Sequence, residues 1–177
     1  VTYPEVEWVL EAIDADLGGS LSGYTLDNGD SVNLILINRD DSDTFSGSLR
    51  SRTEELRRGI IVGVTRADQA KTPIGTEYDL DVETIAGVRV EGLHHHQRGH
   101  VDPDGNEGVP FDELEQLLRD PLWTRRAYPD AGNSRTTYHT LRIENDTQAS
   151  SDYGSYFRTD FDVRFDGYED LPAPQHP

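Results

Sequence analysis

Between residues 156 and 166 the chain alternates apolar and charged side chains with hardly a break. Phe157, Thr159, Phe161, Val163 and Phe165 fall on one parity, and Arg158, Asp160, Asp162, Arg164 and Asp166 on the other. Successive side chains of a strand point to opposite faces, so this spacing predicts a strand with one buried face and one charged, wet face. Residues 136–144, with Tyr138, Leu141 and Ile143 among polar neighbours, read as a second strand beside it. Further strands are expected at 31–38, where Val32, Leu34, Ile35, Leu36 and Ile37 form an apolar run suited to a central strand, and at 59–65. Residues 67–76, with Pro73 and Gly75, read as irregular. At 78–84 Tyr78, Leu80, Val82 and Thr84 alternate with acids, as in an edge or half-buried strand. Ala86 and Gly87 then interrupt, and 88–93 returns as a hairpin partner.

Two stretches carry helical spacing instead. Near the start, Val6, Val9, Leu10, Ile13 and Leu17 mark one face, with Thr2 as cap, Pro4 in the first turn, Glu5 completing a capping box and Gly18-Gly19-Ser20 as the stop. Later, Phe111, Leu114, Leu117 and Leu118 follow Pro110, with Asp112 and Glu113 at the positive end of the helix. Pro121 is expected to end it, with Leu122 and Trp123 packing back. Residues 20–31 and 39–51 read as polar loops. The expected fold is α+β: a mixed, largely antiparallel sheet with helices packed on one side, in a single domain over 1–170 with a fraying tail at 171–177.

Charge narrows the partners. The chain has 177 residues and a formal charge of -18, and of its 16 basic residues only Lys71 is lysine. So few cations disfavour a groove for nucleic-acid phosphates or an anionic membrane surface, which need clustered Lys and Arg. Abundant acids with almost no Lys resemble the composition of proteins from extreme halophiles, where salt screens self-repulsion to within about 3 Å at 1 M. There is no Cys, hence no disulfide or thiolate chemistry. With no apolar stretch of membrane-spanning length and no basic-then-apolar leader, synthesis in the cytoplasm is expected.

Candidate chemistry is sparse. His94, His96 and His100 are of the type that binds zinc, but no HExxH pattern accompanies them; a solvent-facing or interface histidine cluster is the alternative. Asp102, Asp104, Asn106 and Glu113 occupy the spacing of a calcium loop, yet Glu107 stands where the turn glycine belongs and Gly108 follows it. A simple turn leading into the helix is the other reading. His139, beside Tyr138, could serve as a general base or as a cross-strand hydrogen-bonding group. Asp160 and Asp162 could act as a carboxylate pair, but Arg158 and Arg164 flank them, so these four read as a charge-compensated contact surface. No catalytic residue and no cofactor is assigned, with calcium or zinc as the open alternatives. Phosphate-binding, dinucleotide and nucleophile-elbow motifs are missing.

The segments 59–66, 88–92, 111–118 and 138–165 together resemble the tail-terminator or tail-completion family of tailed viruses. The local cues are Tyr138-His139-Thr140-Leu141 and Phe161-Asp162-Val163-Arg164-Phe165, followed by Gly167-Tyr168. The resemblance implies a non-enzymatic virion protein at the tail–neck junction. It implies a homo-oligomeric ring, usually a hexamer, that caps the tail-tube protein and meets a neck or stopper protein. With the halophilic composition, it points to a virus of a salt-loving archaeon. A stopper or adaptor, a calcium-stabilised binding module and a metal-dependent hydrolase are the competing readings.

Overall fold

The computed structural model describes residues 3–18, 20–25, 31–39, 59–73, 79–93, 111–125, 127–129, 135–147 and 156–170. They form two helices, α1 (Pro4–Leu17) and α2 (Phe111–Thr124), and six strands. The strands are β1 (Ser20–Thr25), β2 (Ser31–Asn38), β3 (Gly59–Pro73), β4 (Asp79–Leu93), β5 (Thr136–Thr147) and β6 (Tyr156–Asp170). One sheet runs in the order β1-β2-β3-β4-β6-β5. All its pairs are antiparallel except β2 with β3, which run parallel. The α+β architecture expected from the periodicities is the one observed.

Parity sorts the sheet's two faces. Ile60, Val62 and Val64 of β3, Val82, Ala86, Val88 and Val90 of β4, and Phe161, Val163 and Phe165 of β6 all join one buried cluster. Register carries this across the strands: Val62 lies opposite Val90, Val88 opposite Phe161, and Phe165 opposite Leu141. Val6, Val9 and Ile13 of α1 and Leu114, Leu118 and Leu122 of α2 complete the cluster, so both helices cover this face. Phe157, expected in the core, lies on β6, but its side chain is outside the described residues.

Several local expectations need correction. Tyr3, not Thr2, occupies the N-cap of α1 and makes no side-chain cap bond, while Pro4 does sit in the first turn. Glu5 does not close a capping box; it is buried. The buried stripe of α1 is Glu5, Val6, Trp8, Val9, Ala12 and Ile13, with Leu10 and Leu17 only partly covered. Trp8 anchors it: its ring meets Phe165 edge-on at 5.3 Å, and its Nε1 donates to the Ala127 carbonyl at 2.6 Å. Such a ring buries much area and still satisfies its one donor.

Residues 20–25 are strand rather than loop, paired to β2 through Ser20–Asn33 and Leu21–Val32. β3 does not stop at 65. A bulge between Arg66 and Asp68 carries it to Pro73, because β4 offers a continuous partner as far as Leu80. Ala86 and Gly87 do not break β4; they pair with Val163 and Asp162 on one side and Arg66 and Thr65 on the other. A strand paired on both sides holds its extended shape against weak local propensity. For the same reason 78–84 belongs to no edge: from Asp79 onward it is part of an interior strand. Helix α2 likewise runs through Pro121 to Thr124, whose Oγ1 donates to the carbonyls of Asp120 and Pro121. Leu122 packs inward as expected, but Trp123 is 47% exposed.

Candidate interaction face

The face away from the helices is built from the other parity. Glu83, Ile85, Arg89 and Glu91 of β4 stand beside Arg158, Asp160, Asp162, Arg164 and Asp166 of β6, with Thr140, Arg142 and Glu144 of β5 beyond them. The four residues singled out from the sequence, Arg158, Asp160, Asp162 and Arg164, therefore do share one face. The structure adds partners from β4, β5 and the end of β2 that single-strand reading could not assign.

Two ionic groups divide the face. In the first, Asp160 receives Arg89 at 3.2 Å and Arg158 at 3.0 Å. Arg39, just past β2, joins them: its guanidinium is held below its ordinary pKa by burial first, then by the like charges of Arg89 and Arg158, against the pull of Asp160 and Glu91. Ile61 and Glu91, opposite one another in register, are fully buried, so the open face is closed at this end.

In the second group Arg142 and Arg164 lie directly opposite each other, a pairing of like charges that would by itself destabilise the strands. Asp166 resolves it. Its Oδ2 accepts from Arg142 at 2.8 Å and its Oδ1 from Arg164 at 3.0 Å, while Glu144 lies 3.9 Å and 3.7 Å from the same two arginines and Glu83 pairs with Arg164. Burial would raise the Asp166 carboxyl, but the hydrogen bonds from Arg142 and Arg164 outweigh it and hold it below its ordinary value. Arg164 is raised in return, chiefly by its hydrogen bond to Asp166. Glu83, Arg142, Arg164 and Asp166 line a groove of about 380 Å³ together with Asp81 and His139. A carboxylate held ionised between two guanidiniums is poorly suited to passing protons near neutrality; the arrangement suits geometric, charge-matched contact.

His139 is exposed, with Nδ1 2.8 Å from Thr140 Oγ1 and its ring stacked on Tyr168 at 6.4 Å. Asp160 and Asp162 follow one another along β6, but Asp160 is committed to two arginines. His94, His96, His100, Asp102, Asp104 and Asn106 lie outside the described residues, as does the side chain of Glu113, whose backbone is in α2. Among the described residues no group of His, Asp or Glu is arranged to hold a metal ion, and no helix is long and apolar enough to cross a membrane.

A second polar arrangement lies under the helices, and sequence reading missed it. Tyr138 donates to Glu5 Oε1 at 2.6 Å, and its oxygen lies 2.8 Å from Thr84 Oγ1, which also accepts from Gln69 Nε2 at 3.1 Å. Since the phenol gives its only proton to Glu5, Thr84 donates to Tyr138, and the bonds run in one direction from Gln69 to the carboxylate. Burial first, then the bond to Glu5, raises the Tyr138 hydroxyl well above its ordinary value. A glutamate in the first turn normally signals a cap, so nothing local marked Glu5 as a core residue.

No family model matches the chain, and no curated protein matches it at a significant level.

Proposed function

We propose that this protein is a structural component of a virion: one subunit of an oligomeric ring that terminates the tail tube of a tailed virus of a halophilic archaeon and joins it to the neck. The observation that supports this reading best is the open sheet face. In a chain of net charge -18, Arg39, Arg89, Arg142, Arg158 and Arg164 are concentrated there, interleaved with carboxylates that pair with them, among them Glu83, Glu144, Asp160 and Asp166. Such a surface can approach another protein without the repulsion that the rest of the chain imposes, and directional ion pairs set register more than raw affinity. The placement at the tail end, the hexameric number and the tail-tube and neck partners rest on the family resemblance of the strand sequences.

The test is mass measurement and negative-stain imaging of the purified chain in molar salt, with peptide mass spectrometry of purified virions. A closed ring, and the chain among virion proteins, are expected. A monomer that is absent from virions overturns the reading.

A further inference from the structure

Past Val64, the last position at which β2 pairs with β3, the outer side of β3 has no neighbour among the described strands. Residues 67–73 are all exposed there. At the other side of the sheet β5 pairs only with β6 among the described strands. Both edges belong to the β3-β4-β6-β5 ribbon, and unpaired edge backbone is a template for another strand.

From these edges we infer that the outer edge of β3 over 67–73 pairs with the β5 edge of a second copy of this chain, so that one sheet continues from subunit to subunit. The inference rests on the ring reading above and names the surfaces that close the ring. Three observations carry it. First, direction: β3, β4, β6 and β5 alternate antiparallel, so β5 runs opposite to β3. A second copy in the same orientation therefore continues the alternation without inversion, which is the head-to-tail contact a ring needs.

Second, charge: residues 67–73 carry Asp68 and Lys71, and β5 carries Arg142 against Glu144 and Asp146, so the edges sum to 0 and -1 within a strongly acidic chain. On the open face the Asp68 position would meet the row that holds Arg142 across the junction; Asp68 and Arg142 both share that face with Ile85 and Arg164. Third, the usual obstruction is withdrawn. Lysine on an edge commonly blocks strand addition, but Lys71 is drawn back onto Glu169 at 2.7 Å.

The chain has no Cys, so engineered cysteines report the contact cleanly. Ala70→Cys is combined in turn with Thr137→Cys, Thr140→Cys, Arg142→Cys and Glu144→Cys, all on the open face, and oxidised in molar salt. Neighbouring antiparallel strands place Cα atoms about 4.5–5.5 Å apart, within disulfide reach. Circular dichroism identical to the parent chain confirms that each variant folds. At least one double variant is expected to give a ladder of covalent oligomers up to the ring, and no single variant any cross-link. Dimers from a single β5 cysteine would mean two-fold pairing and overturn the inference. A ring that forms with no cross-link from any pair rejects this contact while leaving the ring reading standing; a monomer in molar salt rejects this contact, and one that is also absent from virions rejects both.

Discussion

Tyr138 and Glu5 show how one buried bond ties a helix to a sheet. Glu5 is 2% exposed, and the phenol is its hydrogen-bond donor; the second carboxylate oxygen, Oε2, is buried without a partner. Removing the donor strands a buried carboxylate, whereas removing both groups removes the need for the bond. Tyr138→Phe is therefore expected to lower stability by about 1–3 kcal/mol. Glu5→Met added to Tyr138→Phe should recover most of that loss. Urea unfolding of the two variants against the parent, all in molar salt, checks this; a double variant less stable than Tyr138→Phe would contradict it.

Two glycines separate backbone strain from close approach. Gly18 ends α1 at φ 65°, donating to the Asp14 carbonyl at 2.7 Å, and a Cβ there would meet nothing within 4 Å. Gly18→Ala should therefore cost only the left-handed backbone penalty, about 1–2 kcal/mol. Gly167 in β6 has the opposite problem. A Cβ there would run into the Thr137 carbonyl, beside the bulge in β5 between Tyr138 and Thr140. Gly167→Ala must push β5 away from β6, so its loss should equal or exceed the roughly 1–3 kcal/mol typical of overpacking, the larger of the two effects. Because β5 is an edge strand, amide exchange should accelerate along Thr136–Thr147 in that variant while α1 stays protected. Uniform acceleration in every element would argue against a local cause.

For the molecule as a whole, net charge and ion pairs respond to salt in opposite directions. The pairs on the open face are partly solvated, and ion pairs of that kind add little to stability, so screening them costs little. Self-repulsion at -18 acts over the whole surface and outweighs them. The melting midpoint is expected to rise by roughly 5–10 °C between about 0.1 M and 3 M KCl, the shift that about 2–3 kcal/mol produces in a chain of this size. Scanning calorimetry across that range checks it. A midpoint that stays level, or falls, would mean that the ion pairs and not the repulsion dominate.

The alternation of 156–166 and 136–144, the apolar run at 31–38 and the leucine spacing of α2 made the α+β class and the inward parity of Phe161, Val163 and Phe165 readable in advance, because side-chain direction is fixed by backbone period alone. Arg158, Asp160, Asp162 and Arg164 were readable as one charged row for the same reason. Their partners were not: Asp166 between Arg142 and Arg164, or Arg39 beside Arg89 and Arg158, depends on which strands become neighbours and in what register. The extension of β3 to Pro73 and the passage of β4 through Ala86 and Gly87 were hidden too: a long partner strand carried the polar end of β3, and pairing on both sides outweighed the glycine in β4. Glu5 and Trp8 complete the contrast. Glu5 looked like a cap and Trp8 fell outside the predicted apolar stripe, and both became core only when Tyr138 and Phe165 arrived from the far end of the chain. Contacts between residues distant in sequence carry no local signature, so that part of the protein is set by how the sheet assembles.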